Sequence, residues 1–399
     1  MKILMVTPYL PYPPASGGQI RSFNLLKYLS KKNDIVLVAL YKTNQEKQYV
    51  SRLQAYCKKV YLCKRSENPW QIKNILSSLF SFQPFLIVRN FSPEAKQALE
   101  KEIRENKFDV IHSETFYVMP HIPQTKIPIL LVEQTVEFRV YQHFIETLPW
   151  FFRIFLMIDI SKLRFWEKYY WKKASLVATV SDLDKTIVSN IEPSIRPVVI
   201  PNGAGEDMLI KNLAKKDNKK TILLFQGNFS WLQNVEAANY LVDQVYPLLK
   251  KKVPNAKLVI AGQHVKKMAK KEGVEYVDVA HGDTGTVKKL YSDATLFLAP
   301  IFGPGGTRLK LLAAMASGLP IVSTKTGVEG LDVKEGRDVF FANSPEKFVE
   351  KIKLALSDKN LYERVRKNAH TLVQEKYNWQ KIAAQLETVY KKIQTTKAA

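Results

Sequence analysis

Three glycines within four residues open the stretch Gly303–Lys310, GPGGTRLK, and two cations close it. Glycine lets a backbone come close to an anion, and the free N–H groups at a helix start point at it. Gly305, Gly306 and Thr307 are candidate backbone donors, and Arg308, Leu309 and Lys310 begin the helix behind them. Arg308 and Lys310 would supply the positive charge that a diphosphate needs. A Walker A loop requires GxxxxGK[ST], which this stretch is not, and a dinucleotide GxGxxG belongs after a first strand rather than a late one. A plain glycine turn with solvated cations would look much the same. Gly17 and Gly18 lead into a helix expected over 19–30 with Arg21 in its first turn, and Gly227–Asn228 end a strand. Each pair would line a phosphate or sugar, or simply turn the chain. Glu114 ends the strand-like run 108–114, where the C-terminal end of a parallel strand offers a carboxylate to a ligand.

The rest of the composition narrows the chemistry. The chain has 399 residues, too long for one ordinary core, so two domains of roughly 200 residues are expected. Its net charge of +23 is shared between both halves, with no basic tail. Such an excess suits an anionic membrane face or an anionic substrate, and no nucleic-acid-binding motif accompanies it. The two cysteines, Cys57 and Cys63, fit a reducing compartment and are expected in a strand as core or surface thiols. The six histidines show neither HxxxH nor HExxH spacing, so no metal site is expected, and His112 reads as a core residue. No GxSxG elbow supports a hydrolase triad. The start, MKILMVTPYL, reads as a first buried strand rather than a signal peptide, and no run is long and apolar enough to span a bilayer.

Short apolar runs position these residues. Strands are expected at 2–7, 34–41, 59–64, 108–114, 128–135 and 175–181, with helices between most of them. Such alternation implies a parallel sheet covered on both faces. The pattern restarts after 197–205, with strands at 219–228, 256–263, 274–279, 294–300 and 320–324 and a helix near 234–251. The expected fold class is therefore α/β, with two doubly wound domains in tandem and a boundary near Pro201–Asn202. The last helix, 378–393, is amphipathic, with Trp379, Ile382, Leu386, Val389 and Tyr390 near one face. Two segments stand out, 148–174 and 68–85, where aromatic and aliphatic residues alternate with cations. That is the composition of an interfacial helix, or of a helix packed on the first sheet.

Taken together, the chain resembles a glycosyltransferase of the GT-B fold, within the large retaining group called family 4. The resemblance rests on TPYLPYPPASGGQIRSFNLLKYLS near the start, VATVSDLD (177–184), VIPNGAG (199–205), QGNFSWLQNVEAANYL (226–241) and the block 297–331. It implies two Rossmann-like domains facing across a cleft: residues 1–201 for the acceptor, 202–377 for a nucleotide-diphosphate sugar, and 378–399 as a helix crossing back. It implies donor contacts at Gly17, Gly18, Gly227, Asn228, Gly305, Gly306, Thr307 and Leu309, with Arg308, Lys310 and Glu114 as catalytic candidates. Transfer would proceed with retention and without a bound metal, the leaving phosphate taking the acceptor's proton. The implied setting is polysaccharide biosynthesis at the cell envelope. A cytoplasmic protein, peripheral on the membrane, would act there on a lipid-linked or glycan acceptor and would bind no nucleic acid. The chain departs from the family at Ala313, where relatives carry a glutamate that binds the nucleotide ribose, and at Gly305, eight residues earlier. Glu114 stands where many relatives have a histidine, and Asn228 and Asn234 stand where others place Arg and Lys. A missing ribose contact costs about 1–3 kcal/mol of donor binding. It therefore leaves open an alternative: a catalytically weakened protein that binds a sugar nucleotide or a partner glycosyltransferase.

Overall fold

The structure is a computed structural model that describes residues 1–205, 208–210, 213, 221–303 and 306–398. The side chains of Phe151, Phe152, Ile154, Phe155 and residues 396–398 lie outside the described set. The chain divides into two compact units, Met1–Pro201 with Trp379–Ala399, and Asn202–Asn378.

The first unit is built on seven strands, β1 (Lys2–Thr7), β2 (Asp34–Tyr41), β3 (Lys59–Lys64), β4 (Val110–Glu114), β5 (Ile129–Glu133), β6 (Leu176–Thr179) and β7 (Val198–Val199). All pair in parallel, in the order β3-β2-β1-β4-β5-β6-β7. The order reverses direction at β1/β4, where Met5 lies opposite Leu37 on one side and His112 on the other. Side chains alternate across a strand, so a continuous apolar run feeds two cores at once. Leu4, Val6, Val36 and Val38 enter one core, and Ile3, Met5, Ile35 and Leu37 enter the other. The helices are α1 (Gly17–Leu29), α2 (Val50–Gln54), α3 (Ile72–Phe80), α4 (Phe85–Asn90), α5 (Pro93–Glu105), α6 (Glu137–Glu146), α7 (Trp150–Lys173) and α8 (Asp182–Ile191). Helix starts follow local chemistry. The Ser92 hydroxyl accepts the Ala95 N–H ahead of Pro93 in α5, and Ser181 does the same for Asp184 in α8.

The second unit holds β8 (Ile222–Gln226), β9 (Lys257–Gly262), β10 (Val274–Asp278), β11 (Leu296–Ala299), β12 (Ile321–Ser323) and β13 (Phe340–Phe341). They form one parallel sheet in the order β10-β9-β8-β11-β12-β13. Its helices are α9 (Leu232–Tyr240), α10 (Tyr246–Lys252), α11 (Thr284–Asp293), α12 (Leu309–Ala316), α13 (Pro345–Ser357) and α14 (Lys359–Lys376). The last helix, α15 (Trp379–Ala398), returns to the first unit. Trp379, Ile382, Leu386 and Tyr390 are buried there in the core that also holds Leu25, Leu26 and Leu29 of α1, while Val389 is only partly covered.

Several boundaries differ from the sequence reading. Helix α1 starts at Gly17, so Gly17 and Gly18 form its first turn instead of preceding it. The helix expected over 234–251 is α9 and α10 joined by a π turn at Leu241–Val245, a local insertion that periodicity alone does not reveal. Cys57 precedes β3 and only Cys63 lies in it; both thiols are free and buried, and burial pushes each up to about 12. Segment 148–174 combines both expectations. Leu163, Tyr170 and Trp171 of α7 are core residues, whereas Trp150, Met157, Ile158 and Phe165 are exposed. Among the described residues, no helix is long and apolar enough to cross a membrane.

Leu386 is fully buried on α15. Leu386→Ala should cost about 2–5 kcal/mol. Chemical denaturation should show a lower midpoint with an unchanged slope; a midpoint like that of the parent chain would mean that α15 contributes little to the first unit.

Candidate functional site

In the second unit the residues singled out by the sequence meet at the C-terminal ends of β8, β9 and β11. The first to converge are two backbones. Gly227 follows β8 and its N–H donates to the Ala261 carbonyl at 3.0 Å. A β-carbon at Gly262, which has φ +142°, would lie 1.8 Å from the Gly227 carbonyl oxygen. Only glycine permits that approach. A β-carbon at Gly227 would in turn press on the Asn234 side chain at 2.8 Å. Asn228 is held in place from both sides: its Nδ2 donates to Gln263 Oε1 at 3.1 Å, and its Oδ1 accepts the Ser230 N–H at 2.9 Å. Asn234 Nδ2 donates to the Asn228 carbonyl at 2.8 Å.

That asparagine then receives the cation. Lys310 Nζ donates to Asn234 Oδ1 at 2.5 Å and sits 4.7 Å from the centre of the Phe225 ring. Burial and the neighbouring Arg308 charge push its ammonium down to about 7. Tyr291 steadies the backbone beneath it, its hydroxyl donating to the Lys310 carbonyl at 3.3 Å and to Gln226 Oε1 at 3.4 Å. Arg308 is the residue before α12, and its Nη2 donates to the Gly303 carbonyl at 2.7 Å, closing the turn on itself. Thr307 is buried and Gly306 half-buried beside it. Gly305 lies outside the described residues. Helix α12 carries no acidic residue in its first turn, so its N-terminal dipole is left to an external anion. Leu309 and Ala313, one turn apart on α12, pack partly against the core, and Ala313 has no polar group to give a ribose.

In the first unit, Glu114 corrects the expectation of an acid offered to ligand. It ends β4, but its side chain is fully buried. Its Oε1 accepts from Arg21 Nε at 3.3 Å and lies 2.8 Å from His112 Nε2, while its Oε2 accepts from Gln134 Nε2 at 2.5 Å. Burial alone would raise its carboxyl, but the Arg21 charge and the His112 and Gln134 hydrogen bonds outweigh it and hold the group at about 2. His112 Nδ1 is 2.5 Å from the Tyr390 hydroxyl, so a ring protonated at Nε2 would donate to Glu114 and accept from Tyr390. Arg21, in the first turn of α1, is buried. Its Nη1 donates to the carbonyls of Ile200 at 3.2 Å and Pro201 at 3.1 Å. Gly18 has a packing role too: a β-carbon there would lie 2.2 Å from the Tyr9 hydroxyl, which accepts from Gln134 at 2.7 Å. Gly17 only begins the helix.

Sequence reasoning missed Tyr9, Gln134, Gln263 and Tyr291, whose roles come from distant partners and carry no local signature. Asn234 was visible only as a departure from a cationic position. Among the described residues, no group of three or more His, Cys, Asp or Glu is arranged to hold a metal ion.

Two α/β sheets of this order define the GT-B fold of glycosyltransferases. The fold is shared with sucrose-phosphate synthase from Thermosynechococcus elongatus, 14% identical, with a TM-score of 0.73 over 99% of this chain and 100% of that one. It is shared as well with Anabaena HepE in complex with UDP-glucose, 14% identical, TM-score 0.64 over 98% and 100% of the two chains. Residues 220–358 match the family model described as Glycosyl transferases group 1. Over 397 residues the chain is 23% identical to a Klebsiella pneumoniae protein described as an uncharacterized 44.6 kDa protein in cps region, covering 96% of this chain and 97% of that one.

The buried network generates a stability test. Arg21→Met would strand the Glu114 carboxylate and should cost about 3–5 kcal/mol, whereas adding Glu114→Gln should recover part of the loss. Denaturant titrations of both variants check this. The carboxyl is held below its ordinary value, so its contribution is present above about 4.5 and is lost as pH falls toward 2.

Proposed function

We propose that the protein is a retaining glycosyltransferase. The second unit would hold a nucleotide-diphosphate sugar and the first an acceptor at the cell envelope. The observation that carries this reading is Lys310, a half-buried cation beside Arg308 at the start of α12, in the part of the chain that matches the glycosyltransferase family model. A departing diphosphate gains negative charge as the anomeric C–O bond breaks, and fixed cations and N–H dipoles stabilise it without reorganising. Arg308 and Lys310 fill that role here, with Gly306, Thr307, Gly227 and Asn228 around the donor and no metal required. The acceptor hydroxyl bonds to the anomeric carbon on the face the phosphate leaves, and its proton passes to the leaving phosphate oxygen. Glu114 acts as a positioning residue, fixing Arg21, His112 and Gln134 from within the first unit. The exposed apolar and cationic surfaces of α3 and α7 support a peripheral position on the cytoplasmic face of a membrane. The relation to a protein of a cps region supports a polysaccharide product.

Calorimetric binding of a nucleoside diphosphate panel, paired with transfer assays in the presence of a chelator, tests the reading. One nucleotide should bind, transfer should survive chelation, and Lys310→Ala should weaken binding by roughly tenfold or more. Silence for every nucleotide and every sugar would sink the proposal.

The ammonium is charged below its depressed value and neutral above it, so affinity should fall as pH rises from about 6 to about 9. Lys310→Arg, always charged, should flatten that profile. Ala313 favours a second reading, a protein that binds a sugar nucleotide but transfers slowly. If only the ribose contact is lacking, Ala313→Glu should tighten nucleotide binding by about tenfold and raise transfer with it. Tighter binding without faster transfer would favour the weakened enzyme.

A further inference from the structure

The C-terminal edge of the first sheet carries a second group of cations, remote in sequence from Lys310. The β2/β3 register sets Tyr41 opposite Lys64, and the Arg65 N–H donates to the Tyr41 carbonyl at 3.0 Å. Lys42 and Arg65 therefore leave the sheet side by side. Arg65 Nη1 donates to Asn90 Oδ1 at 2.5 Å at the end of α4, and the residue before Asn90 is Arg89. The three charges feel one another: burial first, then Arg65 and Arg89, push the Lys42 ammonium down. Arg65 is pushed down in turn by burial and by Arg89.

Like charges gathered this way favour an anion, and the acids near them leave part of the two guanidinium groups unpaired. The Nε atoms of Arg65 and Arg89 are both buried without a hydrogen-bond partner among the described residues. Arg89 forms no hydrogen bond or ion pair there at all. Two acids face the cluster. Glu46 is occupied, its Oε1 accepting the N–H groups of Lys42 at 3.0 Å and Thr43 at 2.9 Å. Glu137 makes no ion pair with Arg89, and burial pushes its carboxyl up to about 7 against the pull of that arginine. The Tyr117 phenol lies in the field of both arginines. Beside it, Thr115 has φ +82° and hydrogen-bonds the Tyr117 phenol. Positive φ at a β-branched residue is strain of the kind kept at binding sites.

An apolar face continues from the cations. The Arg89 guanidinium lies 5.7 Å from the centre of the Phe85 ring, and Trp70 stacks on Phe85 at 5.1 Å. Trp70 is 63% exposed, and on α3 Leu79 is 63% and Phe80 88% exposed. This face is held firmly: Lys162 of α7 donates to the Ser78 and Ser81 carbonyls at 2.7 and 2.8 Å, and Ser78 donates to Asp159 at 3.1 Å.

We propose that Lys42, Arg65 and Arg89 form an anion subsite that takes a phosphate of the acceptor, and that Trp70 and the outer face of α3 take the lipid attached to that phosphate. The inference rests on the glycosyltransferase reading and names its acceptor class. Planar guanidinium forks match phosphate oxygens, and the aromatic step from Arg89 to Phe85 to Trp70 leads from a charged head to an apolar tail. A soluble phosphate would use the cations and ignore Trp70.

The test is calorimetric titration of the full chain with farnesyl diphosphate, inorganic pyrophosphate and farnesol, each repeated with Arg89→Gln and Trp70→Ser. Arg89 supports no structural hydrogen bond, so its variant should fold as the parent does, checked by thermal unfolding. Farnesyl diphosphate should bind, pyrophosphate roughly tenfold more weakly and farnesol not measurably. Each variant should weaken farnesyl diphosphate by roughly tenfold. Nucleoside diphosphate binding, read in the same chain, should stay unchanged in both. Binding of farnesyl diphosphate that is indifferent to Arg89→Gln would overturn the subsite. Pyrophosphate binding as tightly as farnesyl diphosphate, through Arg89, would overturn the lipid and leave a soluble phosphate. Absence of any nucleotide binding would instead remove the glycosyltransferase reading itself.

Discussion

The first unit depends on one buried ion pair, Arg21 with Glu114. It is enclosed in a core where neither charge meets water, so each is tolerable only because the other is there. Through it the unit is tied together from residues far apart in the chain. Arg21 reaches from α1 to the carbonyls at Ile200 and Pro201, Glu114 ends β4, and His112 passes the connection on to Tyr390 of α15. Gln134 joins Tyr9 and the Gly18 turn to the same carboxylate. A network in which most members are satisfied fixes the arrangement of α1, β4 and α15 more narrowly than apolar packing would.

The second unit solves a different problem with the same economy of contact. Backbones at Gly227 and Gly262 touch where no β-carbon fits, and the missing β-carbon at Gly227 leaves room for Asn234, which accepts from Lys310. Lys310 is held by Asn234 with the like charge of Arg308 beside it. Such a site favours an anion because the anion relieves an existing repulsion. The cationic edge of the first unit follows the same logic, with Arg65 and Arg89 buried at their Nε atoms and short of acceptors. The protein's excess of positive charge is spread along the whole sequence, yet these two places are where burial makes it count.

Much of the fold was legible in the sequence. The runs 2–7 and 34–41 became strands at the expected residues because a strand buried on both faces must be apolar throughout, and that needs no knowledge of partners. The start of α12 was legible for a similar reason, since a glycine cluster before an apolar helical run is a local signal. The failures have physical causes as well. Glu114 was assigned to ligand from its place at a strand end, and it is instead consumed by Arg21 across 93 residues. The π turn at Leu241–Val245 preserves the apolar pattern of a plain helix and so leaves no trace in it.

The sequence by itself determined the alternation of strands and helices, the restart of the pattern near residue 201, and the residue types at the Gly303–Lys310 turn. Periodicity and backbone conformational freedom act over a few residues, and a few residues suffice to read them. Only the tertiary structure decided which charges are spent and which remain. Arg21 lies in a helix start and Arg89 in a helix end, both arginines of ordinary surroundings in the sequence. One is matched by a buried carboxylate and the other has a buried Nε with no hydrogen-bond partner among the described residues, because burial and pairing are properties of residues brought together from distant parts of a chain.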